Sequence, residues 1–211
     1  MAHLAIATRR FSHGLLLCVL LASAAAGAET PEGTPTPAQT AVATFAGGCF
    51  WCMQPPFDAL EGVLSTTVGY TGGHQPHPTY EEVSAGGTGH AESIQIVYDS
   101  RVISYRKLLD VFWHNIDPTT ANRQFCDEGS QYRSAIFYHD ETQKRLAEES
   151  KEEIERSRKL HVVTQIVPAS TFYPAEDYHQ KYYRKNPIRY EFYRYSCGRD
   201  RRLRELWGSE K

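Results

Sequence analysis

Apolar and polar positions alternate with period two in several short runs of this chain. They recur with helical period in the segments between. Residues 41–46, 63–70, 91–98, 134–138 and 162–167 read as strands. In the third run Ile94, Ile96 and Tyr98 share one face. Thr71-Gly72-Gly73 ends the second run and Pro168 closes the fifth. Residues 79–84 form a short predicted helix. Ser104 opens another, with Leu108, Leu109, Phe112 and Trp113 as its apolar positions, and Asp117-Pro118 stops it. Asp140 caps a long charged helix running to about residue 159. Residues 175–185 and 199–207 complete the helical set, and 119–132 is a polar loop. Helices and strands alternating around one sheet imply an α/β or α+β class. The pattern does not give the strand order.

The N-terminus follows another logic. Arg9 and Arg10 precede an apolar run over 14–26, and Ala26-Gly27-Ala28 is a small-x-small cleavage site. Residues 1–28 therefore read as a secretory signal peptide, and the protein as exported, periplasmic or secreted. The apolar run is short for a membrane span. Residues 29–40, rich in Pro and Thr, read as a flexible linker. The folded domain is expected over 41–211, with no membrane contact after cleavage. The chain has 23 Lys plus Arg against 25 Asp plus Glu, so global charge makes no case for nucleic acid. The basic stretch 184–204 reads as a solvated tail with ion pairs through Glu191, Asp200 and Glu205. Cys18 leaves with the signal, and Cys49, Cys52, Cys126 and Cys197 remain. They are too few and too scattered for a disulfide scaffold.

Candidate chemistry concentrates in Gly47-Gly48-Cys49-Phe50-Trp51-Cys52. A strand runs into two glycines, and the cysteine falls where a helix begins. Backbone N–H groups and the helix dipole there favour a thiolate. Phe50 and Trp51 offer an apolar wall, and Cys52 comes within reach if a turn forms. Pro55 and Pro56 demand either a short first turn or a bend.

Three further blocks join this one: Pro78-Thr79-Tyr80, Gly89-His90-Ala91-Glu92, and Asp127-Glu128-Gly129-Ser130-Gln131-Tyr132-Arg133-Ser134. With these the chain resembles the peptide methionine sulfoxide reductase A family over about residues 44–179. The resemblance implies an α+β fold, a single-domain α/β plait (ferredoxin-like) with additional helices and loops. It implies reduction of methionine-S-sulfoxide, free or in oxidised proteins, with Cys49 as nucleophile and Glu92 as acid. Tyr80 and Tyr132 would bond the sulfoxide oxygen, Asp127 would lie in the same site, and Phe50 and Trp51 would hold the methyl group. His179 has a supporting part. No cofactor and no metal are implied. The expected partners are methionine sulfoxide and a thioredoxin-like reductant, with no nucleic acid, and the expected state is a monomer.

Elementary chemistry is compatible with those roles. Sulfoxide oxygen leaves poorly unless protonated, and a carboxylic acid raised by burial can supply the proton. Two phenols can bond the oxygen as it gains charge. The nucleophile becomes a sulfenic acid that condenses with a second thiol, and an outside dithiol exchanges the disulfide. The departure from the family lies in that second thiol, because the tail around Cys197 has no glycine run. Cys52 is the favoured resolving cysteine for its proximity, Cys197 is the alternative, and Cys126 reads as a passive neighbour of Asp127. Two rivals remain: a thiol–disulfide oxidoreductase using Cys49-x-x-Cys52, and a structural zinc protein using four thiols at weak spacing. His74, His77 and His90 lie in turns at no common metal spacing.

Overall fold

The computed structural model describes residues 39–208. Residues 1–28, read as a signal peptide, and residues 29–38 of the expected linker lie outside the described residues. Gln39 and Thr40, assigned by the sequence to the linker, instead join the sheet: Thr40 pairs with Asp99, and the Gln39 N–H donates to the Asp99 carboxylate at 3.3 Å.

The chain order is β1 (Thr40–Gly47), α1 (Phe50–Asp58), β2 (Val63–Thr71), α2 (Tyr80–Ala85), β3 (Ala91–Asp99) and α3 (Tyr105–Trp113). A small hairpin of β4 (Arg123–Gln124) and β5 (Asp127–Glu128) follows, then a 3-10 turn over Ser130–Tyr132. The remainder is β6 (Ser134–Tyr138), α4 (Glu141–Arg158), β7 (Gln165–Pro168), β8 (Tyr173–Pro174), α5 (Tyr182–Lys185), α6 (Pro187–Ser196) and α7 (Arg199–Trp207).

The main sheet runs β7-β6-β1-β3-β2-β8. Its middle four strands pair antiparallel in the order β6-β1-β3-β2; α1 leads from β1 to β2, α3 lies between β3 and β6, and the short α2 is inserted between β2 and β3. This is the α/β plait expected from the family resemblance. The additions are β7, parallel to β6 across the long α4, and the short edge strand β8. Strand alternation divides the core into two faces. Ala43, Phe45, Ile94, Ile96, Tyr98 and Ile136 pack with Met53 and Phe57 of α1 and Leu108, Leu109 and Phe112 of α3. Ala46, Ala91, Ala135 and Phe137 pack on the other face. Three helices carry side-chain caps: Thr79 in a capping box, Ser104 and Asp140.

Of the two readings at Pro55 and Pro56, the short first turn is excluded, because α1 continues to Asp58. The prolines remove only the donors that would have met the carbonyls of Trp51 and Cys52. Other expectations need correction. α3 ends at Trp113, four residues before Asp117. β7 begins at Gln165, because the Val163 N–H donates to the Pro118 carbonyl and not to a strand. Of residues 175–185 only Tyr182–Lys185 is helical. The preceding stretch spends its polar groups on the rest of the protein: Gln180 accepts from Val68 N and donates to Val68 O, and Lys181 takes a positive φ of 54°. The basic tail folds as the helical pair α6 and α7, whose outer faces stay solvated while one side packs on the protein. Pro187 starts α6 at a position that needs no donor. Tyr190 and Arg199 are buried, while Asp200 and Glu205 pair with Arg194 and Arg202 as read from sequence.

Candidate active site

The site forms where β1 ends and α1 begins. Gly48 makes the corner at φ +78°, and a Cβ there would meet Gln124 at 2.4 Å. A Cβ on Gly47 would meet the Met53 sulfur at 2.6 Å, so helix and strand approach as closely as two glycines allow. Cys49 is the N-cap of α1, as the sequence predicts, and is buried.

Glu92 lies on β3 in the same parity as Ile94 and Ile96, so it faces the helix side of the sheet. It is 3% exposed and its carboxylate accepts from the Phe50 N–H at 3.0 Å. A free donor of the helix N-terminus is thereby given to Glu92. Burial raises the Glu92 carboxyl most, the charges of Asp127 and Cys52 add to it, and the Phe50 N–H offsets part. It is pushed up to about 8. At neutral pH Glu92 is mostly a carboxylic acid with a proton to give.

The two free thiols are buried on one turn, where the Cys52 N–H donates to the Cys49 carbonyl at 3.0 Å. Burial pushes Cys49 well above 9.0, and the bond to Cys52 and the Glu92 charge add to it. The helix N-terminus therefore does not leave Cys49 a thiolate, contrary to the sequence expectation: desolvation exceeds the dipole, and the first N–H faces Glu92. Cys52 moves the other way, down to about 7. The bond from Cys49 is the largest cause, and the charges of Arg199 and Arg194 assist against burial.

Phe50 and Trp51 are held by aromatic neighbours. Trp51 stacks on Tyr182 at 3.8 Å and 6°, and its Nε1–H donates to His179 Nδ1 at 2.9 Å. Burial lowers His179, which keeps that nitrogen an acceptor. Phe50 packs near Tyr70 and His179, and Tyr80 lies 4.4 Å from the His179 ring. Glu176 fixes this wall, accepting from Tyr70 Oη and from the Tyr80 N–H, each at 2.9 Å. Burial raises the phenols of Tyr80 and Tyr132, and the charges of Glu92 and Cys49 raise both further. The site thus gathers Cys49, Cys52, Glu92, Phe50, Trp51, Tyr80, Tyr132 and Asp127.

Cys197 is not among them: it forms a disulfide with Cys126. This removes it as a free resolving thiol and corrects the reading of Cys126 as passive. It also leaves a four-thiolate zinc site two ligands short. Sequence reasoning missed Tyr193 of α6. Its hydroxyl donates to Asp127 Oδ2 at 2.6 Å, and Tyr193 lowers the Cys49 thiol against the burial that raises it. It missed Arg199 too, 1% exposed, which donates to the Asn115 carbonyl at 2.6 Å and lies over the Phe125 ring. The only sequence signal for either was an arginine- and tyrosine-rich tail.

The family model for peptide methionine sulfoxide reductase matches residues 41–211. The MsrA of Bacillus licheniformis is 52% identical over 169 residues, 79% of this chain and 93% of the relative. The MsrA of Bacillus subtilis is 52% identical over 171 residues, 80% and 97%. Among solved structures, reduced Mxr1 from Saccharomyces cerevisiae is similar with TM-score 0.67 and 36% identity, over 70% of this chain and 86% of that one. Methionine sulfoxide reductase A of Corynebacterium diphtheriae is similar with TM-score 0.65 and 33% identity, over 74% and 78%.

Proposed function

The chain belongs to the peptide methionine sulfoxide reductase A family, a peptide-methionine (S)-S-oxide reductase, and from that premise we propose how its residues divide the reaction. The sulfoxide methyl group lies against Phe50 and Trp51, with its sulfur facing Cys49 and its oxygen facing Glu92, Tyr80 and Tyr132. Cys49, once ionised, attacks the sulfur. Glu92 gives its proton to the oxygen as the sulfur–oxygen bond weakens. The two phenols, held neutral, donate to the oxygen as it gains charge. The protonated oxygen passes from the methionine sulfur to the Cys49 sulfur as the new sulfur–sulfur bond breaks, so methionine leaves as the thioether and Cys49 is left as a sulfenic acid.

Cys52 resolves it. It shares one turn with Cys49, and its thiol is the more easily ionised of the two. Its thiolate attacks the sulfenic sulfur, hydroxide leaves and takes a proton to become water, and a Cys49–Cys52 disulfide forms. A thioredoxin-like dithiol then exchanges that disulfide. We place the enzyme outside the cytoplasm, periplasmic or secreted, on the strength of the signal-like residues 1–28.

The observation that carries this reading is Glu92, buried as an acid on the Phe50 N–H beside Cys49. A CxxC oxidoreductase has no use for that acid or for the two phenols. The test is Cys49→Ser with a methyl sulfoxide substrate and excess dithiothreitol. Loss of reduction is expected, because serine is a far weaker nucleophile at neutral pH. Wild-type turnover would overturn the reading.

A further inference from the structure

With Trp51 as the wall for the substrate methyl group, as in the reaction above, whatever fixes its indole also sets where the sulfur meets Cys49. Pro55 and Pro56 take away the helix N–H groups that would brace the carbonyls of Trp51 and Cys52. The indole is fixed from outside α1, by the Tyr182 ring stacked at 3.8 Å and by His179 Nδ1 at 2.9 Å from Nε1. Both partners sit on one short stretch, so the path of residues 179–182 decides where Trp51 stands.

That path turns at Lys181. Its φ of 54° and ψ of 38° are left-handed, a conformation that suits glycine and costs a residue with a side chain. A polar network beside α1 holds the turn. The Lys181 N–H donates to Gln54 Oε1 at 2.7 Å. The Lys181 ammonium donates to Asp58 Oδ1 and to Thr66 Oγ1, the latter at 2.8 Å. Thr66 Oγ1 donates to Asp58 Oδ1 at 2.7 Å and accepts from Gln54 Nε2 at 3.0 Å. Tyr183, on the far side of Tyr182, donates to Asp58 Oδ2 at 2.7 Å. Asp58 thus grips the residues on both sides of Tyr182. Gln54 is fully buried and the Asp58 side chain is 6% exposed, so the pair is anchored in the protein and unlike an ordinary surface ion pair.

We propose that Lys181 and Asp58 are positioning residues of the reductase: their ion pair pins the turn that lays Tyr182 flat on Trp51 and presents His179 to the indole N–H. Both act on the sulfoxide only through Trp51. Gln54 and Asp58 belong to the helix that Cys49 caps, so α1 carries the nucleophile at its start and the anchor of the wall's support at its end. Nucleophile and wall are thereby kept in one frame.

The test uses the full chain with Lys181→Met, which keeps the stem and removes the charge. It leaves Asp58 buried without its cation, so Lys181→Met with Asp58→Asn is measured beside it as a neutral pair that folds without that penalty. The first-turnover rate at saturating methyl sulfoxide should fall about 10- to 100-fold in both, the effect of a misplaced sulfur. The paired variant should be no slower than the single one, because both cut one tether. Hydrogen exchange of the indole N–H groups, followed by NMR, separates positioning from stability. The Trp51 N–H should exchange faster in both variants. Trp113, bonded to Ser150 Oγ at 3.0 Å, and Trp207, bonded to the Ile116 carbonyl at 3.1 Å, report the core and should keep their protection. Lys181→Gly keeps the left-handed turn without the ammonium and should share the loss. A wild-type rate in Lys181→Gly would assign the role to the backbone turn alone and overturn the ion pair. An unchanged rate or an unmoved Trp51 exchange in the paired variant would overturn it too, as would equal acceleration of all three indoles, the mark of general destabilisation. Wild-type first turnover in Trp51→Ala would instead remove the wall itself, so the two failures are distinguishable.

Discussion

Replacing Glu92 by glutamine separates catalysis from folding, because the structure makes the two respond in opposite directions. The amide keeps the size of the side chain and an oxygen to accept the Phe50 N–H at 3.0 Å. It has no acidic proton for the sulfoxide oxygen, so the first turnover should slow by about 10²-fold or more. Stability should rise. Glu92 titrates at about 8 when folded against 4.5 for the free group. A carboxyl raised on folding contributes fully below its unfolded value, and that contribution is lost as pH rises toward the folded value. At pH 7 the unfolded carboxyl is ionised about 2.5 pH units beyond its midpoint, a bias of about 3 kcal/mol toward unfolding. Glutamine removes it. Wild-type stability should therefore decline between pH 5 and 8, and the decline should be shallower in Glu92→Gln. Urea titrations across that range, beside rapid-quench single turnovers, read both quantities. The wild-type single-turnover rate should also fall as pH passes about 8. Equal pH slopes of stability in the two proteins, or an unchanged single-turnover rate, would refute the buried-acid argument.

The remaining predictions concern recycling, the aromatic wall and the second disulfide. Cys52→Ser should reduce about one equivalent of sulfoxide and then accumulate a dimedone-reactive sulfenic acid at Cys49, with steady-state turnover on thioredoxin nearly lost. Normal steady-state turnover would assign resolution to another thiol. His179→Leu should leave the Trp51 indole N–H unpaired, at a cost of about 1–3 kcal/mol, and lower kcat/KM about tenfold or more. Unchanged kinetics would mean that the stack on Tyr182 alone fixes Trp51. Joint replacement of Cys126 and Cys197 by alanine should cost up to about 4 kcal/mol, the loop-entropy value for a 71-residue separation. Equal denaturation midpoints with and without the pair would count against that contribution.

The sequence determined what depends on neighbours along the chain. Strand alternation set the two faces of β1, β3 and β6, and Thr79, Ser104 and Asp140 announced their helices because a cap acts within three residues. Cys49 at the start of α1 was legible for the same reason, as were Phe50 and Trp51. The family resemblance named Glu92, Tyr80, Tyr132 and Asp127, although nothing local in those residues tells a site from a surface. Tertiary structure alone decided the contacts between distant segments. Tyr193 reaches Asp127 across 66 positions and Arg199 reaches Gly47 across 152, so the tail read as solvated although Tyr190 and Arg199 within it are buried. The stretch before α5 gave up helical hydrogen bonds for bonds to β2, a choice that exists only once the sheet is present. Cys126 and Cys197 pair because α6 packs against the hairpin, and a helix with Tyr190 as its one buried residue leaves little periodic trace. The ionisation of Cys49 was also beyond the sequence. A helix N-terminus favours a thiolate, but burial beside Glu92 and Cys52 opposes it, and only packing sets how much water is lost.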